Sequence, residues 1–209
     1  MDQTTAFADR VYRLEQITSK MEIRDSYPLL KIARLNPAAQ IRLSEAVNNY
    51  LYSCLENFYI DQNFDKSESL FDTRAQQIRQ LPNITPNGLV LPKKPICMAY
   101  NIIHAIVAEI IDDLGLQPHI EKVHAPINIR LVDGAGNRLI DERPRASTKM
   151  HSDMWAGEAA NAIMIFLPIF GNYQKIGIKW IEPREFPVDY MRPLKDFNEG
   201  IHLIRGGRE

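Results

Sequence analysis

Apolar residues recur at three- and four-residue steps through the first half of the chain. In TAFADRVYRLEQITSKM, residues 5–21, Phe7, Val11, Leu14, Ile17 and Met21 fall on one stripe, which predicts an amphipathic helix with Arg10, Arg13 and Glu15 turned outward. A second helix is expected to begin at Asn36-Pro37 and run through AAQIRLSEAVNNYLYSCLENFY. Asn caps the free first-turn amides there, and Pro suits the first helical position. A shorter helical pattern comes next in SESLFDTRAQQIRQL. The stretch PNITPNGLVLPKKP, residues 82–95, holds four prolines and one glycine and reads as a loop. The next segment, ICMAYNIIHAIVAEIIDDLG, is apolar on most faces and closes at Gly115, so it predicts a helix buried behind the C-terminal half.

After Gly115 the helical period gives way to alternation. In APINIRLVDGAGN, Ile127, Ile129 and Leu131 fall on one side of an expected strand, and Asn128 and Arg130 on the other, with Asp133-Gly134 and Gly136-Asn137 supplying a turn. ANAIMIFLPIFG, residues 160–171, and KIGIKWIEP, residues 175–183, read as further strands. The fold class expected is therefore α+β, with a helical region over residues 1–115 and a β-rich one over 116–209, together forming one compact unit.

Charge narrows the partners. Lys plus Arg number 25 against 26 for Asp plus Glu, a formal charge of −1, so no broad positive field is available to hold nucleic acid. Cys54 and Cys97 lack metal-type spacing and are too few for a secreted disulfide scaffold, which points to a reducing cytoplasm. MDQTTAFADRVYRLEQ has no apolar core of a signal peptide, and no uncharged run approaches the roughly 20 residues of a membrane span. A cytoplasmic protein with no membrane partner is expected.

The candidate chemistry sits in STKMHSDMWAGE, residues 147–158. Side chains two apart on an extended strand share a face, so the His151 imidazole and the Asp153 carboxylate can reach one ion. Imidazole and carboxylate are the donor mix of the two-histidine, one-carboxylate face that holds ferrous iron with open positions. His-x-Asp alone also recurs in loops making ordinary hydrogen bonds, and that reading stays open here. His104, inside an apolar helix, reads as a hydrogen-bonded core residue, and His119 and His124 as surface residues. Helical zinc spacing, a complete phosphate-binding glycine loop and a G-x-S-x-G elbow are all absent from the sequence.

In order, INIRLVDG, HSDMW, AIMIFLPIFG and IKWIEP resemble the iron(II)- and 2-oxoglutarate-dependent dioxygenases, in particular the phytanoyl-CoA-hydroxylase-like branch and oxygenases of carbohydrate gene clusters, over roughly residues 120–185. The resemblance implies a C-terminal double-stranded β-helix, or jelly roll, against which the N-terminal helices pack. It implies Fe(II) held by His151 and Asp153, 2-oxoglutarate as cosubstrate assisted by Asn128 or Arg130, and Trp155 near the site or in the core. The substrate it implies is a small organic molecule, a carbohydrate or secondary-metabolite precursor. The family also uses a later histidine and then an arginine that grips 2-oxoglutarate. After Asp153 the only histidine is His202, succeeded at short spacing by Arg205 and Arg208. About 50 residues beyond the motif leave room for about four or five strands, an incomplete jelly roll. Three readings are open: the distal part of the pattern lies beyond Glu209; a shortened barrel uses His202; or the metal site has been lost. Two rivals come from other classes, a non-catalytic ligand-binding jelly roll and a helical scaffold whose first two helices form a homodimer.

Overall fold

The structure is a computed structural model that describes residues 3–66, 70–132, 151–159, 161–171, 180, 188–196, 199–200 and 202–203. The chain divides into two compact units: Leu14–Asp133 with Pro168–Ile178, and Met1–Arg13 with Gly134–Leu167 and Lys179–Glu209. The fold mixes helix and sheet.

The first unit is organised by two helices, α2 (Pro37–Phe58) and α5 (Cys97–Asp113). Asn36 caps α2 as its sequence predicts, its side chain accepting from the Ala38 amide at 2.9 Å ahead of Pro37. Arg42 meets Glu109 at 2.7 Å and Tyr50 meets Tyr100 edge-on at 4.8 Å, so the helices run antiparallel. Leu43, Val47, Leu51 and Leu55 of α2 and Ile103 and Ile110 of α5 are all buried. Burying such side chains contributes about 1.5–3 kcal/mol each relative to exposure, which makes this seam the principal source of stability in the unit.

Both tyrosines carry a polar tip into that seam, and each finds a backbone acceptor. The Tyr50 hydroxyl donates to the Leu91 carbonyl at 3.1 Å, and the Tyr100 hydroxyl donates to the Ile127 carbonyl. Burial raises both phenols, Tyr100 to about 12, so each stays a neutral donor. Asn83, also buried, donates to Leu91 O at 2.8 Å and to the Cys54 sulfur at 3.6 Å, while burial pushes the Cys54 thiol up.

Smaller elements precede, separate and follow the two helices in sequence. Preceding α2 are α1 (Gln3–Thr18) and the hairpin β1 (Ile23–Tyr27) and β2 (Leu30–Ala33). The hairpin escapes the periodic reading because none of its strand residues is buried and its turn holds no glycine or asparagine. Beyond α2, the expected third helix is broken at Arg74 into α3 (Leu70–Thr73) and α4 (Ala75–Arg79). The proline-rich stretch contains β3 (Leu89–Val90), which pairs antiparallel with β4 (Ile129–Arg130). Gly88 has φ +76°, and a Cβ there would lie 2.0 Å from the Leu131 carbonyl oxygen. Gly88 is thus the residue that lets the two strands close, its own carbonyl accepting from the Leu131 amide at 2.9 Å.

Two expectations need correction. The helix α5 is buried on one side only: Met98 is 73% and Ile102 57% exposed. With the 3₁₀ turn before it, the segment Lys94–Asp113 has mean hydropathy 1.4 and is long and apolar enough to cross a membrane by length and composition. Glu109 and Asp112 interrupt it, so a search for uncharged runs passes it over. The second correction concerns the strand expected over residues 160–171. Among the described residues the sheets are two-stranded, and residues 161–170 of the apolar run form no ladder; Ile163, Met164, Ile165 and Phe166 are all exposed. An extended run becomes a strand only when a neighbouring edge receives its amides, and no described edge pairs with this one. Apart from Trp180, the strand expected over 175–183 lies outside the described residues.

Leu55→Ala should lower the unfolding free energy by about 2–5 kcal/mol and Asn36→Ala by about 0.5–2, whereas Met98→Ala should stay within about 0.5. Urea denaturation followed by circular dichroism measures all three, and equal losses at Leu55 and Met98 would refute this account of the core.

Candidate functional site

His151 and Asp153 belong to the second unit. Ser152 between them is extended (φ −98°, ψ 136°), and Asp153 opens a single 3₁₀ turn, Asp153–Ala156, closed by Gly157 at φ +101°. The continuous strand expected here is therefore replaced by a strand-to-turn bend. The bend still unites the two side chains: His151 Nε2 lies 3.5 Å from Asp153 Oδ1, with the side chains 41% and 39% exposed.

The bend is held from both sides by residues distant in sequence. The Ser152 hydroxyl donates to the Tyr190 carbonyl at 2.9 Å, and the Trp155 indole N–H donates to the Asp189 carbonyl at 3.0 Å. Trp155 packs on the Tyr190 ring at 5.5 Å, and its own carbonyl accepts from the Leu194 amide at 3.4 Å. Gly200 completes the seat, since a Cβ there would come within 2.8 Å of Leu194 Cδ1 and 3.6 Å of the indole. From α1, Arg10 donates to the Met154 sulfur at 3.5 Å. Arg10 is thus half-buried rather than turned outward, and burial, followed by repulsion from Arg13, lowers its guanidinium pKa.

The segment that receives Ser152 and Trp155 is itself stapled by one cation. Arg192 Nε donates to Asp189 Oδ1 at 2.8 Å, and its Nη2 donates to Glu199 Oε1. The second Glu199 oxygen accepts from the Lys195 amide at 3.0 Å. The Arg192 hydrogen bond, ahead of the Lys195 amide, holds the Glu199 carboxyl below its ordinary value, and Glu199 and then Asp189 raise Arg192.

The remaining candidate residues fall elsewhere. Asn128 and Arg130 belong to the first unit, and both are exposed beside buried Ile129. Their alternation is as read, but the polar side meets solvent, so the inward placement needed to assist 2-oxoglutarate is not seen. His202 is exposed, and no group of three or more His, Cys, Asp or Glu side chains comes together among the described residues. Of the three readings left open, the one that uses His202 as a third donor finds no such group among the described residues. All five histidines lie among the described residues, and none joins the pair as a third donor. Arg205 and Arg208 lie outside the described residues.

In kind, the two donors present suit a ferrous ion: one imidazole nitrogen and one carboxylate oxygen on a single bend. In number they supply two of the three ligands that such a face requires. Sequence reasoning misses Ser152, Asp189, Tyr190, Arg192 and Glu199. Acid and base three apart at Asp189 and Arg192 are a readable local signal, but bonds across 34 and 38 residues to Trp155 and Ser152 leave none. Compared with protein-family descriptions, curated proteins and solved structures, the chain matches none.

Glu199 has a folded-state value below its unfolded one, so its ion pair stabilises above the unfolded carboxylate value and is lost as pH falls through the folded value. In Arg192→Ala the Glu199 carboxyl should titrate at higher pH than in the parent chain, read from its side-chain carbon resonance. An unchanged titration would remove Arg192 as the cause.

Proposed function

We propose that the chain is a non-haem iron(II)- and 2-oxoglutarate-dependent oxygenase acting on a small organic substrate, with His151 and Asp153 as two of its iron ligands. The observation that carries the reading is the 3.5 Å approach of His151 Nε2 to Asp153 Oδ1, within the only His-x-Asp of the chain, between an alternating segment and a long apolar run. Under this reading the C-terminal half would form a double-stranded β-helix, of which the described residues contribute only two-stranded sheets. A carbohydrate or secondary-metabolite precursor is the substrate class, the cytoplasm the setting, and a homodimer the assembly.

Bound iron with its cosubstrate would supply oxidative decarboxylation of 2-oxoglutarate coupled to oxidation of a substrate C–H bond. The chain's own residues would do the holding. His151 would offer a neutral nitrogen and Asp153 an ionised oxygen, so ion affinity falls as pH is lowered. Ser152 and Trp155 would fix the bend between them through the carbonyls of Tyr190 and Asp189. A second reading, a ligand-binding protein without catalysis, is favoured by the lack of a third converging donor among the described residues.

Adding ferrous iron and 2-oxoglutarate to the purified chain without oxygen separates the two. The oxygenase reading expects a weak visible charge-transfer band that His151→Ala and Asp153→Ala both abolish and His104→Phe leaves in place. No band from the parent chain, or a band that survives loss of both donors, sinks it.

A further inference from the structure

The stretch leading into β4 is held in an uncommon way. Residues 121–126 are exposed one after another, yet the next residue, Ile127, has both of its backbone polar groups taken by side chains of α5. Its carbonyl accepts from the Tyr100 hydroxyl, and its N–H donates to His104 Nε2 at 3.1 Å. Tyr100 and His104 stand one helical turn apart with their rings edge-on at 5.1 Å, so they grip one residue from a single helix face. Two residues further on, Ile129 is buried and pairs with Val90.

The two halves of this grip respond differently to protons. A phenol raised to about 12 remains a donor throughout the physiological range. An imidazole nitrogen accepts an N–H only while its lone pair is free, so the network assigns the proton of neutral His104 to Nδ1. A second proton must go on Nε2, which turns the acceptor into a donor facing another donor. We infer that Tyr100 and His104 form a proton-sensitive latch on Ile127, closed when the imidazole is neutral and released when it is charged.

Other titratable groups on the surrounding elements are placed not to override this. Tyr50 of α2 touches Tyr100 and is held neutral by burial. Arg42 of α2 and Glu109 of α5 pair with each other at the surface, and Lys94, Glu121, His124 and Arg130 are exposed. Exposed charges such as these are screened by salt. Opening the latch would free the entry to β4, and with it Asn128 and Arg130, while the α2–α5 seam stays closed. The latch is independent of the iron reading.

Amide hydrogen exchange of the full chain, expressed as protection factors over a pH series, tests this while the His104 ring resonances report its protonation in the same samples. Protection at Ile127 should fall about three- to tenfold as the ring takes up its proton, the worth of one hydrogen bond, while Leu51 and Leu55 stay protected. In His104→Phe, Ile127 should be weakly protected with no step, and in Tyr100→Phe the step should remain. A flat profile in the parent chain, a step that persists in His104→Phe, or parallel loss at Leu51 and Leu55 would overturn the latch.

Discussion

A buried hydroxyl must find an acceptor, and in this chain that requirement organises more than the apolar contacts do. The seam between α2 and α5 would pack as well around two phenylalanines as around Tyr50 and Tyr100. An unpaired buried hydroxyl costs about 1–3 kcal/mol, so each ring draws a carbonyl from non-helical chain. Tyr50 takes Leu91 and Tyr100 takes Ile127, which brings the ends of β3 and β4 against the same helix pair. Val90 and Ile129 are then buried between them. A two-residue ladder would not persist in water alone; here it is pinned beside both its strands.

The bend at His151 and Asp153 is built by the same means. Ser152 and Trp155 reach the carbonyls of Tyr190 and Asp189, and Arg192 with its two carboxylates keeps that segment in shape. The apolar contribution is modest, a tryptophan seated against Tyr190, Leu194 and Gly200. Exposed ion pairs such as those of Arg192 are individually worth little, so the bend depends on its part-buried hydrogen bonds more than on charge. That arrangement suits a site whose donors must stay reachable from solvent while their backbone is fixed.

The helices are readable because their signals are local. Phe7 to Ile17, Asn36-Pro37 and Gly115 each mark a period, a start or a stop within a few residues, and α1, α2 and α5 obey them. The alternation at Asn128, Ile129 and Arg130 is likewise legible, but not which side is buried: the polar side meets solvent. His104 reads as a hydrogen-bonded helical histidine, and it is one, though half-exposed. Pairings between distant segments have no such local mark. The apolar run at 161–170 has the composition of a strand, but composition does not provide a neighbour. Strand spacing brings His151 and Asp153 together on the wrong local geometry, since the chain bends there, and they meet nonetheless. His202 enters by elimination, which says nothing about distance.

Gly88 illustrates how narrowly such a structure can be inherited. Any carbon attached there meets the Leu131 oxygen at 2.0 Å, and the left-handed backbone penalises the same exchange a second time. Every amino acid other than glycine must therefore pry the ribbon apart, which closes this codon to gradual drift. Neighbouring loop positions such as Asn87 or Pro86 have ordinary negative-φ backbone, so the left-handed veto in this turn falls on one position.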